Sequence, residues 1–263
     1  MSPEPGPVPW NAPAVERGVG FFETALLVGR RAVLWEPHVE RLARTLRRFE
    51  LPAPDPERLE TAARSAVEGA APGPADQRAL RLTWIAVGPD IDAAEAWRLD
   101  VSVRPIPATR LARRSGSRAV TLPAELTRDS PSVKSTSYFA AIMGLRYATR
   151  HDADEGLFVN ADGTYREGAT TAVVVWADGD LLIPAGGFLP SVTAAAFHEG
   201  RTRSGAVREA DLRAGAAIVG SLTLSSPLLT LDGQPCERPA AMLERIHAFN
   251  ERLLIDPLCG RSF

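Results

Sequence analysis

Between Gly18 and Trp35 the run GVGFFETALLVGRRAVLW alternates imperfectly between apolar and polar positions and breaks at Gly29, Arg30 and Arg31. This pattern predicts a β-hairpin. From Glu36, the segment EPHVERLARTLRRFEL sets His38, Leu42, Leu46 and Phe49 on one side and Arg and Glu on the other, which predicts an amphipathic helix. DPERLETAARSAVEGA predicts a second helix, and ALRLTWIAV and WRLDVSVRPI predict strands separated by the turn-rich GPDIDAAEA. In the second half SYFAAIMGLRYATRHD is helical in pattern, GLFVNADGTYREG is a hairpin turning at Asp162 and Gly163, and TTAVVVWADGDLLIP supplies further strands. The polar stretch IPATRLARRSGS reads as a connector, giving an N-terminal α+β domain over 1–106, a connector over 107–117 and a C-terminal α+β domain over 118–263. No unit repeats, and hairpins alternate with helices in both halves. The expected fold class is therefore α+β, two domains meeting at a cleft that holds the site.

Composition narrows the function classes. The chain has 263 residues, 45% apolar and 24% charged, enough to bury a substantial core. A formal charge of −2 argues against nucleic acid as a partner, because phosphate binding leans on a clustered excess of Lys and Arg. No stretch of 18 uninterrupted apolar residues occurs, and the start MSPEPGPVPW has neither a basic nor an apolar leader region, so the expected location is the cytoplasm, with no membrane partner. Cys236 and Cys259 lack CxxC partners and the four His have no ligand spacing, so neither a disulfide framework nor a metal site is expected.

Separating the basic residues changes the picture: 29 are Arg and one, Lys134, is Lys. Arg replaces Lys wherever only positive charge is needed, but a guanidinium cannot serve as a primary amine that loses its proton. Schiff-base chemistry needs such an amine, which must deprotonate, attack a carbonyl and later carry protons. A surface lysine retained by chance is the alternative, and the neighbouring residues decide between them. Tyr138 follows four residues later at the mouth of the predicted helix, and Glu167 follows the hairpin in DGTYREGATTA.

That order, with GVGFFET, HVERL, KSTSY, ADEGLFVNADGTYREGATTA, LPSVT and GSLTLSSPLLTLDG, resembles the fold-type IV pyridoxal-phosphate enzymes across nearly the whole chain. The family, the class IV aminotransferases, includes branched-chain and D-amino-acid aminotransferases and aminodeoxychorismate lyase. The resemblance implies the two-domain D-amino-acid-aminotransferase-like fold, pyridoxal 5′-phosphate as cofactor, and a homodimer whose site borrows a loop from the neighbouring subunit. By the same resemblance Lys134 is the catalytic lysine. Arg41 matches the phosphate-binding arginine, a role that suits a planar two-pronged donor. Thr193 with the backbone of Val192 matches the phosphate site at a helix N-terminus, and Ser221 a second phosphate hydroxyl. Glu167 matches the acid that pairs with the pyridine nitrogen, keeping it protonated so that the ring withdraws electrons from the substrate. Tyr138 matches the phenol near the cofactor O3′ or the lysine. Each has an ordinary alternative: a solvated helix charge for Arg41, a cap or turn for Thr193 and Ser221, helix-start packing for Tyr138.

Within the family the second half is most similar to bacterial aminodeoxychorismate lyases, which implies release of pyruvate and 4-aminobenzoate from 4-amino-4-deoxychorismate in a folate-type pathway. An aminotransferase using an amino acid or amine with a 2-oxo acid is the alternative, and a non-catalytic binding descendant is the alternative of another class. The chain departs from many relatives at Ala172, Ser191 and Ala194, and carries Val87 where relatives often have an arginine that recognises substrate carboxylate. Arg81, Arg104 and Arg114 are the candidates to replace it.

Overall fold

The computed structural model describes residues 6–73, 76–177, 179–198 and 202–263; the first five residues of the Pro-rich start, and Asp178 within the TTAVVVWADGDLLIP segment, lie outside them. The chain runs α1 (Pro13–Glu16), β1 (Gly20–Val28), β2 (Arg31–Val33), α2 (Trp35–Arg48), α3 (Pro56–Glu68), β3 (Gln77–Ala86) and β4 (Trp97–Pro105), then α4 (Ala108–Ala112) and β5 (Ser117–Thr121). It continues α5 (Phe139–Arg150), β6 (Glu155–Val159), β7 (Tyr165–Gly168), β8 (Ala172–Ala177), β9 (Asp180–Pro184), α6 (Val192–His198), β10 (Thr202–Gly205), α7 (Glu209–Ala214), β11 (Ala216–Gly220), β12 (Leu224–Leu231), β13 (Gln234–Pro235), α8 (Ala240–Ile255) and β14 (Gly260–Ser262). Two sheets result, ordered β14-β2-β1-β3-β4 and β10-β9-β8-β11-β12-β5-β6-β7, with β13 paired to β12. The α+β class expected from the pattern is the observed one.

The first hairpin turns at Gly29 and Arg30, with Val28 opposite Arg31. Gly29 has φ +58, a conformation that costs glycine little. Arg31 therefore begins β2 instead of sitting in the turn, and its buried guanidinium donates to the carbonyls of Leu253 (2.9 Å) and Leu254 (2.8 Å) at the end of α8, where helix carbonyls lack partners. In α2, His38, Leu42 and Leu46 are buried as the spacing predicts, but Phe49 is 47% exposed. The helix ends at Arg48, so Phe49 leaves the helical face and stacks on Phe21 at its edge, 6.4 Å between centroids.

Strand alternation decides which side chains reach the cleft. On β1, Phe21, Ala25 and Leu27 pack with Leu42, Leu46, Leu59 and Ala63 under α2 and α3. Phe22 and Thr24 point to the opposite face, towards the second sheet, together with Ala79 and Arg81 of β3 and Arg104 of β4. Leu26 on that same face packs against Val174, Val219 and Leu224 of the second sheet and Met242 and Ile246 of α8. The stretch read as a polar connector contains α4, begun after Pro107 by helix-forming residues, and its arginines are only partly solvated: Arg113 donates to the carbonyl of Asp154 (2.7 Å) and Arg114 to Gln77 Oε1 (2.6 Å) and the carbonyl of Leu222 (2.8 Å). The last strand, β14, returns to pair with β2 in the first sheet. No helix among the described residues is long and apolar enough to cross a membrane.

Candidate active site

Lys134 lies on the long loop between β5 and α5, and that loop is fastened to the start of β1. The carbonyl of Lys134 accepts from Phe22 N (3.0 Å), and Thr136 N donates to the carbonyl of Gly20 (2.8 Å). A Cβ on Gly20 would stand 2.8 Å from Ile85 Cγ2 and 2.9 Å from Thr136 Oγ1, so the close approach of loop and strand requires glycine there. The lysine is thereby carried over the inner face of the first sheet, its Nζ 4.5 Å from the Phe22 ring centroid and 5.8 Å from that of Tyr138. Among the described residues the amine makes no hydrogen bond.

Its charge is suppressed. Burial, foremost, and then the Arg41, Arg128 and Arg81 cations bring the Lys134 pKa down to about 7, against the pull of Glu23. Below that pH the amine is protonated and cannot attack a carbonyl; above it the free base predominates. The rate at which cofactor-free protein takes up an aldehyde at Lys134, followed by reductive trapping at a series of pH values, should therefore rise through about pH 7, not through the ordinary lysine range near 10.5.

Two groups of side chains meet at this amine. Glu167, the penultimate residue of β7, is 4% exposed; its Oε1 accepts from Arg128 Nη1 (2.9 Å) and its Oε2 from Leu189 N (3.0 Å). Burial pushes the Glu167 pKa up and Arg128 opposes this. Gly168 is required next to it, because a Cβ there would fall 2.2 Å from Thr171 Oγ1. Tyr138, at the N-cap of α5, stands edge-on to Phe22 (5.1 Å between centroids), and Arg128 lies over its ring at 5.6 Å.

The second group is built around Glu23, which faces α2 because it alternates with Phe22. Its carboxylate accepts from Arg41 Nε (2.7 Å) and Nη2, and from His38 Nδ1 (2.8 Å). Burial raises the pKa of Glu23, but the hydrogen bonds and charges of Arg41 and His38 outweigh it and hold the carboxyl at about 2. Burial keeps His38 below its ordinary pKa and so neutral at pH 7. With Nδ1–H committed to Glu23, its Nε2 is an acceptor, and the Ser221 hydroxyl donates to it at 3.3 Å. Thr193 Oγ1 is 3.4 Å from the same hydroxyl. Arg41 Nη1 donates to the carbonyl of Pro190 (2.8 Å), so Arg41 and Glu167 both grip the segment that leads into α6.

Arg41, Lys134, Tyr138, Glu167 and Ser221 line one cavity. Thr193 and Val192 are buried at the start of α6, behind that wall. Lys134, Tyr138, Thr170 and Ser221 also border a second, larger cavity on the side of the first sheet. All seven residues singled out from the sequence are therefore in or against one site.

Comparison with known proteins places this arrangement. Residues 20–227 match the family model described as amino-transferase class IV. The chain belongs to that family. A curated member, the bifunctional aminodeoxychorismate lyase / D-amino acid transaminase of Mycobacterium tuberculosis (strain ATCC 25618 / H37Rv), is 35% identical over 251 residues, covering 86% of each chain. A hypothetical aminotransferase from Mycobacterium tuberculosis, in its α-ketoglutarate- and PMP-bound form, is 31% identical with TM-score 0.83, covering 97% of this chain and 95% of that one. The fold IV-transaminase CpuTA1 from Curtobacterium pusillum is 25% identical with TM-score 0.79, covering 97% and 90%. The resemblance to the fold-type IV family stated from the sequence is borne out.

Within this class IV aminotransferase fold, some site residues escaped the sequence reading. Arg128 sits in a loop with no periodicity to flag it, and only the fold brings it to Glu167. Glu23 reads in sequence as the polar member of an alternating strand, and what marks it as unusual, burial at 1% between two partners on α2, is a tertiary fact. Of the arginines considered as replacements at Val87, Arg81 and Arg104 line the larger cavity; Arg114 is instead held outside its lining by Gln77 and Leu222.

Proposed function

We propose that the protein is an aminodeoxychorismate lyase, cleaving 4-amino-4-deoxychorismate to 4-aminobenzoate and pyruvate, with Lys134 as its base and acid. The observation that carries the amine chemistry is the desolvated Lys134, its pKa brought to about 7, in a cavity with a buried acid opposite. Pyridoxal 5′-phosphate is the cofactor, and when bound it supplies the electron sink that stabilises charge on the substrate carbon. The donor set fits it: Arg41 and the Ser221 and Thr193 hydroxyls, with the Val192 backbone, would hold its phosphate, Glu167 its ring nitrogen, and Tyr138 its phenolic oxygen. Each Glu167 oxygen accepts one hydrogen bond within the protein, and a carboxylate has about four lone-pair sites, so acceptor capacity is left over.

In this reading Lys134, once free, takes the proton from the ring carbon that bears the amino group. The ether bond on the neighbouring carbon then breaks and the ring becomes aromatic. The same amine returns a proton to the departing enolpyruvate, which leaves as pyruvate, so one substrate gives two products with no second reactant. Phe22 and Tyr138 flank the amine.

The second reading, transamination between an amino acid and a 2-oxo acid, is favoured by the bifunctional relative. There the same lysine moves its proton from the substrate Cα. A homodimer is part of the proposal: Phe139 (72% exposed) and Ile142 (52%) present an apolar surface on α5, beside Tyr138. Purified protein supplied with pyridoxal phosphate and 4-amino-4-deoxychorismate, generated in situ, should release 4-aminobenzoate and pyruvate in equal amounts. Release of neither, alongside amino transfer from D-alanine to 2-oxoglutarate, would replace the lyase with the transaminase.

A further inference from the structure

Glu155, the first residue of β6, is an acid buried behind the wall of the two cavities, 2% exposed. Among the described residues it accepts four hydrogen bonds, all from neutral donors: Gly156 N (3.2 Å) and Thr170 N (3.3 Å) on Oε1, and the hydroxyls of Thr170 (2.9 Å) and Thr171 (3.1 Å) on Oε2. A carboxylate has about four lone-pair sites, so its capacity is filled, and a proton on either oxygen would face a donor. Burial pushes the Glu155 pKa up, and the Thr170 hydroxyl and the Arg110 charge oppose this. All the donors except Gly156 N belong to the turn between β7 and β8. Gly168 N closes that turn on the carbonyl of Thr171 (2.9 Å), and Ala169 N fastens it to the carbonyl of Gly156 (2.8 Å). The turn is wrapped on the acid so tightly that a Cβ on Gly168 would stand 3.0 Å from Glu155 Cγ. Glu167 directly precedes this turn, Thr170 borders both cavities and Thr171 borders the first.

Because the Thr170 hydroxyl spends its hydrogen on Glu155, its lone pairs face away from the acid, and Arg110 Nη2 donates to one of them at 3.4 Å. The carboxylate thus fixes both the path of the turn and the direction of its hydroxyls. Glutamine at 155 would be equal in size but would carry an NH2 where the carboxylate has an oxygen. With its oxygen towards the hydroxyls, that NH2 meets Thr170 N and Gly156 N, donor against donor; turned over, it forces both hydroxyls to rotate and point their hydrogens elsewhere. We propose that Glu155 is a positioning residue of the active site, whose carboxylate ties down the 168–171 turn and so sets the place of Glu167 and of the Thr170 and Thr171 hydroxyls on the cavity wall. It acts only through that turn. The inference rests on the reading of the Lys134 cavity as the cofactor site, and it holds for either reaction.

The test is titration of cofactor-free protein with pyridoxal phosphate, read by the visible absorbance of the lysine-bound cofactor, beside a thermal melt that shows each variant folded at the titration temperature. Glu155→Gln should weaken binding at least about tenfold, the effect of losing one hydrogen bond to a charged group. Thr170→Val, similar in shape but without the hydroxyl, should weaken it comparably, while Thr170→Ser, which keeps the hydroxyl, should stay within about threefold of wild type. The combined Glu155→Gln and Thr170→Val variant should lose far less than the product of the two single losses, because both remove the same bond. An acid that served stability alone would lower the melt and leave the affinity of the folded protein where it was. Binding by folded Glu155→Gln within about threefold of wild type, or a fully multiplicative loss in the combined variant, overturns the proposal. Should Glu155→Gln fail to fold, the Thr170 pair decides: serine as weak as valine overturns it. A wild type that acquires no visible band overturns the functional reading, while a band with undiminished affinity in the variants overturns this inference alone.

Discussion

Replacing Lys134 with alanine should reduce turnover by roughly 10³-fold or more, the range a positioned proton-transfer group supplies. The chain holds one lysine, so no second primary side-chain amine can take over the covalent and proton-carrying work. The fold should tolerate the change. The loop is fixed by backbone bonds from Phe22 N to the Lys134 carbonyl and from Thr136 N to the Gly20 carbonyl, neither of which uses the amine. The measurement is steady-state turnover beside a thermal melt: a large kinetic loss with an unchanged melt supports the assignment, and turnover within tenfold of wild type contradicts it.

Glu23→Gln should destabilise the protein by about 3–5 kcal/mol, the usual effect of removing one partner from a buried ion pair. The carboxylate is met by Arg41 and His38, and glutamine, though equal in size, leaves the Arg41 cation buried against a neutral amide. The pH dependence has a definite sign. Glu23 in the folded protein titrates at about 2, below its ordinary 4.5, so its stabilising contribution is complete above pH 4.5 and is lost as pH falls from there towards about 2. Denaturant unfolding at neutral pH and near pH 3 should show the wild type losing stability on acidification more steeply than the variant. Equal slopes, or a neutral-pH difference under about 1 kcal/mol, the size of an ordinary exposed pair, would contradict the account.

The difference between what the sequence discloses and what it conceals follows the range of the interactions. The two-residue turn at Gly29 and Arg30, the helix capped by Asp55 and the turn at Asp162 and Gly163 are local, and the pattern of Gly, Asp and apolar spacing states them. α8 is equally legible, since Met242, Ile246, Phe249 and Leu253 keep helical spacing. Phe49 falls one residue beyond the end of α2, and the connector's Arg113 and Arg114, which look solvated in sequence, end on backbone carbonyls. Lys134, Tyr138 and Glu167 were found through chemistry and family resemblance. Glu23 and Arg128 were not, because their significance lies in partners 18 and 39 residues away. Arg81 and Arg104 of the larger cavity need the register of β3 against β4 before they can be seen as one surface.

The measurement that tests the central claim most directly is reduction of the cofactor-loaded protein with borohydride, followed by peptide mapping. The account predicts one reduced pyridoxyl phosphate group per chain, on the peptide that contains Lys134. A protein that carries none after reduction, or carries it elsewhere, would contradict it.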